Sequence, residues 1–507
     1  MIIVIDFGSQ TAHLIGRRVR DMGVAVSIVT PEDALNFIKK NKIHGIILSG
    51  GPSSVYEKGA PTIDKKIFDL GIPILGICYG QQLTAHLLPG GKTVKDKVRE
   101  DGPATLVVDK PSLLFLGISD HSRIWMSHGD TVVLVPKGFN LIAHSETIKS
   151  ACMVNEKKKI YGVQFHPEVE HTEHGNLILL NFVKRICKVR MKKYVIDIQK
   201  IIKKIKASAG NAKVLAAVSG GVDSTIAASL AAQAVGKQLT VVYADNGLMR
   251  IGTRQEIEDI FITRLKVDVR IVDCQKEFLD ALKGVTDPET KRKTIGKLYI
   301  DIFEREAKKI KGVKYLVQGT IYSDVIESKG TKHAAKIKSH HNVGGLPDKM
   351  NLILIEPLRN FYKDEVREIG KKLGLPKYIT HNQVFPGPGQ AIRIIGKITP
   401  ERLEMQQAAD KIVVEEMKKS GWYYKVFMSF PISTGVKATS VKGDGRFYGE
   451  VIALRIIQSK DVMTTVWARL PYNLLQKIVS RITNEIPQVS RVVYDITTKP
   501  PATMEWE

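Results

Sequence analysis

Short apolar runs alternate with amphipathic ones from the first residues of the chain. Runs 2–5, 25–29, 45–48 and 73–77 read as buried strands, while 9–22, 31–40 and 81–88 space their apolar residues as helices do. This alternation predicts a parallel sheet covered by helices. A β-rich stretch follows (105–108, 124–126, 131–135 and 160–164), then a helix from about 175 to 189. The chain next enters a run rich in Lys and Arg, expected to continue as one amphipathic helix through Ile205. A second alternation begins at Lys213, with strands at 214–218, 240–244, 269–272 and 315–318 and helices at 225–235, 253–265 and 290–309. Phe385-Pro386-Gly387-Pro388-Gly389 punctuates the chain, because its prolines and glycines continue neither regular element. Helices at 400–420 and 473–485 and strands at 426–431, 449–457 and 489–495 close the pattern. The expected fold is α/β: two doubly wound parallel-sheet domains (1–188 and 189–382) followed by a small α+β domain (383–507).

Composition changes this picture little. The 507 residues are 43% apolar and 25% charged, which excludes a disordered, collagenous or coiled-coil chain. No apolar run approaches the roughly 18 residues of a spanning helix. The start, Met1-Ile2-Ile3-Val4-Ile5-Asp6, reads as a strand rather than a signal peptide. Cys78, Cys152, Cys187 and Cys274 have no disulfide-like or metal-like spacing, so a cytoplasmic protein with reduced thiols is expected.

Charge changes it more. The formal net charge is +24, yet residues 1–183 carry 20 basic and 18 acidic side chains, against 56 and 34 in the remainder. The second half is thus expected to handle anions. The run 184–213 alone has eleven basic residues against one acid, Asp197. Its one aromatic is Tyr194, so the stacking platforms of a nucleic-acid surface are missing, and neither nucleic acid nor a membrane is expected as a partner.

Two motifs carry chemistry. Gly76-Ile77-Cys78-Tyr79-Gly80 lies between a strand and a helix, where small flanking residues permit a sharp turn and present a nucleophile at the helix N-terminus. A base with an orienting group is offered by His166 and Glu168 in Gln164-Phe165-His166-Pro167-Glu168. Gly50-Gly51-Pro52, after another strand, offers backbone N–H groups to an oxyanion. With Gln82 and Ser49–Pro52, these residues resemble the class I glutamine amidotransferases. The resemblance implies a Cys78 thioester, His166 as base, Glu168 as its orienter, Gly51 and Tyr79 amides as oxyanion hole, and Gln82 as a glutamine-binding residue.

The second motif is Ser219-Gly220-Gly221-Val222-Asp223-Ser224, followed by Thr225, again between strand and helix. Two glycines let the backbone close around phosphate, two serines add donors, and Asp223 suits a divalent cation on the phosphates. It resembles the loop of the ATP pyrophosphatases, which implies ATP as co-substrate with Mg2+ held through Asp223, and no tightly bound organic cofactor.

An ammonia source beside an adenylating domain fits several acceptors, among them those of glutamine-dependent NAD or asparagine synthetases or, on a different partner, a tRNA-modifying enzyme. The blocks 244–250, 319–328, 338–347, 356–359, 385–393 and 495–507 resemble the GMP synthetase family over the whole chain. That resemblance implies a carbon–nitrogen ligase of purine biosynthesis, active as a homodimer through its third domain, with glutamine, ATP and xanthosine monophosphate (XMP) as substrates. It further implies XMP contacts at Arg250, Lys499 and Glu505, and a lid carrying His340 and His341. The chain departs from the family pattern at Asp101, Ser323 and Gln390, where an aromatic, a proline and an apolar residue are usual.

Overall fold

The computed structural model describes the chain except residues 10, 193–194, 323, 326–351, 460–464 and 500, and the side chains of 97–99. The expected lid histidines, His340 and His341, and also Tyr194 and Ser323, lie outside the described residues. The described chain divides into two compact units, Met1–Val195 and the rest from Ile196 onward. The second unit holds the expected second domain from Ile196 onward, seven residues after its expected start at 189, together with the expected third.

The first unit is built on β1 (Ile2–Ile5), α1 (Ala12–Asp21), β2 (Val26–Val29), α2 (Ala34–Lys40), β3 (Gly45–Leu48), β4 (Ile74–Ile77), α3 (Tyr79–Leu87), β5 (Lys92–Val108), β6 (His121–Leu134), β7 (Asn140–His144), β8 (Cys152–Asn155), β9 (Ile160–Val163) and α4 (Gly175–Leu180). Its nine-stranded sheet runs β2-β1-β3-β4-β9-β8-β7-β5-β6. The first five strands are parallel and the last four pair antiparallel. β1, β3, β4 and β9 are buried along their whole length. That is why they read as continuous apolar runs rather than alternations. The antiparallel pair β5–β6 is far longer than its apolar stretches predicted, running from Lys92 to Val108 and from His121 to Leu134 with polar residues interleaved.

The second unit follows with α5 (Ile198–Ala209), β10 (Lys213–Val218), α6 (Val222–Val235), β11 (Leu239–Asp245), α7 (Thr253–Ile257), β12 (Asp268–Asp273), α8 (Gln275–Leu282), α9 (Pro288–Lys308), β13 (Val313–Val317), β14 (Ile353–Ile355), α10 (Lys363–Lys372) and α11 (Lys377–Thr380). Its five strands are all parallel, in the order β12-β11-β10-β13-β14. α6 is buried on nearly every side. Ile226 and Leu230, fully buried on it, each contribute about 1.5–3 kcal/mol on removal from water. Then come α12 (Pro400–Lys419), β15 (Met428–Lys442), β16 (Gly445–Gln458), β17 (Val466–Trp467), α13 (Tyr472–Glu485) and β18 (Val489–Tyr494). β16 is the centre of the last sheet: β15 and β17 pair with it antiparallel, β18 parallel.

The basic run is not the single helix expected. Lys188 takes a left-handed φ of 52° and breaks it, and Lys192 donates its N–H to Gly23 O at 2.9 Å. Helix resumes only at Ile198, where the Asp197 carboxylate caps Lys200 N–H at 3.0 Å.

Candidate functional site

In the first sheet β3, β4 and β9 are neighbours, so the loops leaving their carboxyl ends converge. Cys78 sits directly after β4 with φ 50° and ψ −106°, and α3 starts at the next residue. Glycine is required on both sides of it. A Cβ at Gly76 would lie 2.6 Å from Gly80 O, and one at Gly80 would lie 2.5 Å from Leu48 O. The strained turn is pinned by Cys78 N–H on Val163 O at 2.8 Å.

His166 follows β9, its Nδ1 2.7 Å from Glu168 Oε1, and its ring feels the Cys78 side chain. Burial pushes the imidazole towards its neutral form, but the Glu168 charge and the Cys78 contact override it and hold the ring well above its ordinary pKa. Thr11 donates to the same Glu168 oxygen at 2.6 Å. Thr172 donates to His166 O at 2.6 Å and accepts from Trp125 N–H at 3.2 Å. These two threonines were not singled out in the sequence, since both lie outside the recognised motifs. Gly50 matters as much as Gly51: a Cβ there would stand 3.0 Å from His166 Cε1. Tyr79 opens α3, so its amide lies in the first turn, where no helical acceptor is available.

The expected glutamine contact, Gln82, is buried, and its Nε2 is committed to Asp130 O at 2.7 Å and Gln164 Oε1 at 3.3 Å. The unusual Asp101 accepts from Ser127 Oγ at 2.7 Å, and the Ser127 carbonyl accepts from Cys78 Sγ at 3.5 Å.

In the second unit β13, β10 and β11 are neighbours, and their carboxyl ends gather 219–225, 246–250 and 318–320. The helix after the loop begins at Val222, three residues earlier than predicted, which puts Asp223 and Ser224 in its first turn. Ser224 Oγ accepts from Ser219 N–H at 3.3 Å and donates to Gly221 O at 3.1 Å. Gly220 is left-handed, φ 78°, with Thr253 so close that a Cβ would meet Cγ2 at 2.3 Å. Gly319 lies against the loop's other side, 2.6 Å from Ser224 N by the same measure. Val222 and Thr225 are buried and anchor the helix.

Asp223 Oδ2 accepts from Lys363 Nζ at 2.7 Å, while its Oδ1 is buried with no hydrogen bond among the described residues. Arg367, one turn further along α10, also feels the Asp223 charge; burial lowers its pKa and the carboxylate opposes this. Lys363 and Arg367 carried no motif signal.

The three expected XMP contacts lie in this unit. Arg250 is bound to Asp410, its Nε 2.9 Å from Oδ2, and to the Tyr423 hydroxyl at 3.3 Å. Glu505 is gripped by Arg393 in a two-pronged pair, 2.9 and 3.1 Å. Lys499 pairs with Thr465 as an isolated bridge, away from strands. A cavity lined by Gly220, Gly221, Arg250, Phe385, Lys418 and Tyr423 joins the loop to the C-terminal part.

Comparison with known proteins agrees with this layout. Residues 3–186 match the family model "Glutamine amidotransferase class-I", 194–283 match "NAD synthase", and 415–506 match "GMP synthase C terminal domain". Over its full length the chain is 51% identical to the glutamine-hydrolysing GMP synthase of Aquifex aeolicus, covering 99% of that protein. The corresponding enzymes of Caldanaerobacter subterraneus and Halothermothrix orenii are 49% and 50% identical, again with all of this chain and 99% of the relative aligned. The chain belongs to the glutamine-hydrolysing GMP synthase family.

Proposed function

We propose that the chain aminates XMP to GMP with nitrogen taken from glutamine, at the expense of ATP cleaved to AMP and pyrophosphate. The observation that carries this reading is the coexistence, in one chain, of a Cys78–His166–Glu168 relay and an Asp223-bearing pyrophosphate loop. The NAD synthase match covers only 194–283, whereas 415–506 match the GMP synthase terminal domain, which favours XMP over deamido-NAD as acceptor.

In the first unit, Cys78 Sγ attacks the glutamine carboxamide carbon with the thiol proton held on His166. His166, kept in place by Glu168, returns that proton to the departing ammonia, and water then cleaves the thioester to glutamate with His166 again as base. The Gly51 and Tyr79 amides face the developing oxyanion. In the second unit, XMP O2 attacks the ATP α-phosphorus and pyrophosphate leaves. Ammonia then adds at C2 and AMP departs with the original O2.

The Gly220–Gly221 backbone, Ser219 and Ser224 hold the leaving pyrophosphate, with Lys363 and Arg367 as countercharges. Mg2+ accompanying ATP would screen the phosphate charge, and the residues fit it: Asp223 Oδ1 is a buried carboxylate oxygen with no hydrogen-bond partner among the described residues. Arg250, Lys499 and Glu505 are assigned to XMP, two cations suiting its phosphate and a carboxylate its ribose or base donors.

A cytoplasmic location is supported by four unpaired cysteines. No helix among the described residues is long and apolar enough to cross a membrane. A homodimer through the last sheet is supported by exposed Val441 and Tyr448, at 77% and 64% accessibility.

The test is GMP formation from XMP, MgATP and either glutamine or ammonium. Cys78→Ala should lose glutamine-dependent synthesis and keep the ammonium-dependent rate, while Asp223→Ala should lose both. Loss of both in a folded Cys78→Ala would refute the two-site reading.

A further inference from the structure

Two residues assigned to XMP, Arg250 after β11 and Glu505 near the C-terminus, are joined by a continuous line of buried charges. Asp410 on α12, only 3% exposed, accepts from Arg250 Nε at 2.9 Å and Nη2 at 3.4 Å. Its Oδ1 also stands 3.7 Å from Arg393 Nη1. Arg393 is fully buried and spends Nε and Nη2 on Glu505, leaving Nη1 without a hydrogen bond among the described residues. The Phe385 ring lies between the two guanidinium groups, 4.9 Å from that of Arg250 and 4.7 Å from that of Arg393, and Arg393 lies 3.9 Å over Phe430.

Such a chain is a poor source of stability, because each buried ion costs several kcal/mol of desolvation against what its partner returns. Its geometric effect is the larger one. A two-pronged arginine–carboxylate pair fixes distance and orientation together. Asp410 ties the loop after β11 to α12, and Arg393 ties α12 to the tail. Arg250 and Phe385 also line the cavity that opens on Gly220 and Gly221. Burial favours loss of the Arg250 proton, but Asp410 and Tyr423 more than offset this and keep it cationic.

We propose that Asp410 and Arg393 are positioning residues for the XMP site: they set the spacing between Arg250 and Glu505, so that the nucleotide is gripped only when the tail and the β11 loop are locked to the same helix. This rests on the assignment of Arg250 and Glu505 to XMP.

The experiment uses the full chain with Asp410→Asn, Asp410→Glu and Phe385→Leu, measured in ammonium-dependent synthesis. Asp410→Asn should raise KM for XMP at least tenfold, with kcat at saturating XMP, KM for ATP and glutamine hydrolysis all within twofold of the parent. Asp410→Glu should recover part of the XMP affinity. Phe385→Leu, which strands no buried charge, should shift the same parameter in the same direction if Asp410→Asn does not fold. An unchanged KM for XMP, or a fall in kcat with both KM values rising together, would overturn the proposal. A second readout is independent of the function assigned: amide hydrogen exchange of Arg393→Gln should quicken in 246–252 as well as in 501–507. Faster exchange in the tail alone would mean the two ends are not coupled. Absence of GMP synthesis in the parent chain, with coupled exchange retained, would instead fault the assigned reaction.

Discussion

At His166 two forces oppose each other, and which one wins decides the chemistry. Burial favours neutral imidazole; the Glu168 carboxylate at 2.7 Å and the Cys78 contact favour the cation and prevail. A ring whose folded pKa lies above the unfolded value of about 6.5 stabilises the fold fully below that pH. The contribution fades as pH climbs through the raised folded value. Glu168→Gln removes the charge, so its deficit in melting temperature relative to the parent should be largest from about pH 5 to 6.5 and shrink on the alkaline side. A deficit that grows with pH would contradict this. Glutamine hydrolysis should fall by about 10²-fold or more in the same variant, since a misoriented base loses its general-base contribution.

Elements are constrained more by backbone than by side chains at both motifs. The elbow at Cys78 works because Gly76 and Gly80 let α3 pass beneath β3 and β4. Gly80→Ala forces a Cβ onto the Leu48 carbonyl, a contact backbone cannot yield cheaply, and should destabilise the first unit by about 1–3 kcal/mol or more. Glutamine use should be lost with it and ammonium-dependent synthesis retained. Gly296→Ala is the matched control: it lies within α9 with nothing within 4 Å of the added carbon, and should stabilise by about 0.5–1 kcal/mol. Thermal melts of the two variants decide. Strand and helix identities at these motifs were legible because local spacing sets them. The break at Lys188 was not, since an amphipathic pattern runs straight through it and only the contact to Gly23 redirects the chain.

On the scale of the whole molecule, the +24 charge is not one surface with one purpose. Part of it is buried as Lys291, Arg393 and Arg455, each holding the terminal segment. Lys291 reaches Glu507 at 2.5 Å and Arg455 reaches Asp495 at 2.6 Å. Part is the exposed face of α5, where Lys200, Lys203, Lys204 and Lys206 meet solvent. The homodimer proposed through the last sheet makes its own prediction. Val441→Asp with Tyr448→Asp should yield a monomer by sedimentation equilibrium; an unchanged assembly would place the contact elsewhere.

The amino-acid order by itself determined the nucleophile and phosphate turns, the parallel strands of the second sheet and of one half of the first, and the family resemblance. Each of these depends on residues a few positions apart, whose geometry the backbone dictates locally. It did not reveal that Gln82 turns inward to Asp130, that Asp223 is met by Lys363, or that Arg250 and Glu505 share one buried ion chain. Those partners lie tens to hundreds of residues apart. A buried charge takes whichever opposite charge the packed fold brings within reach, so only the tertiary structure decided them.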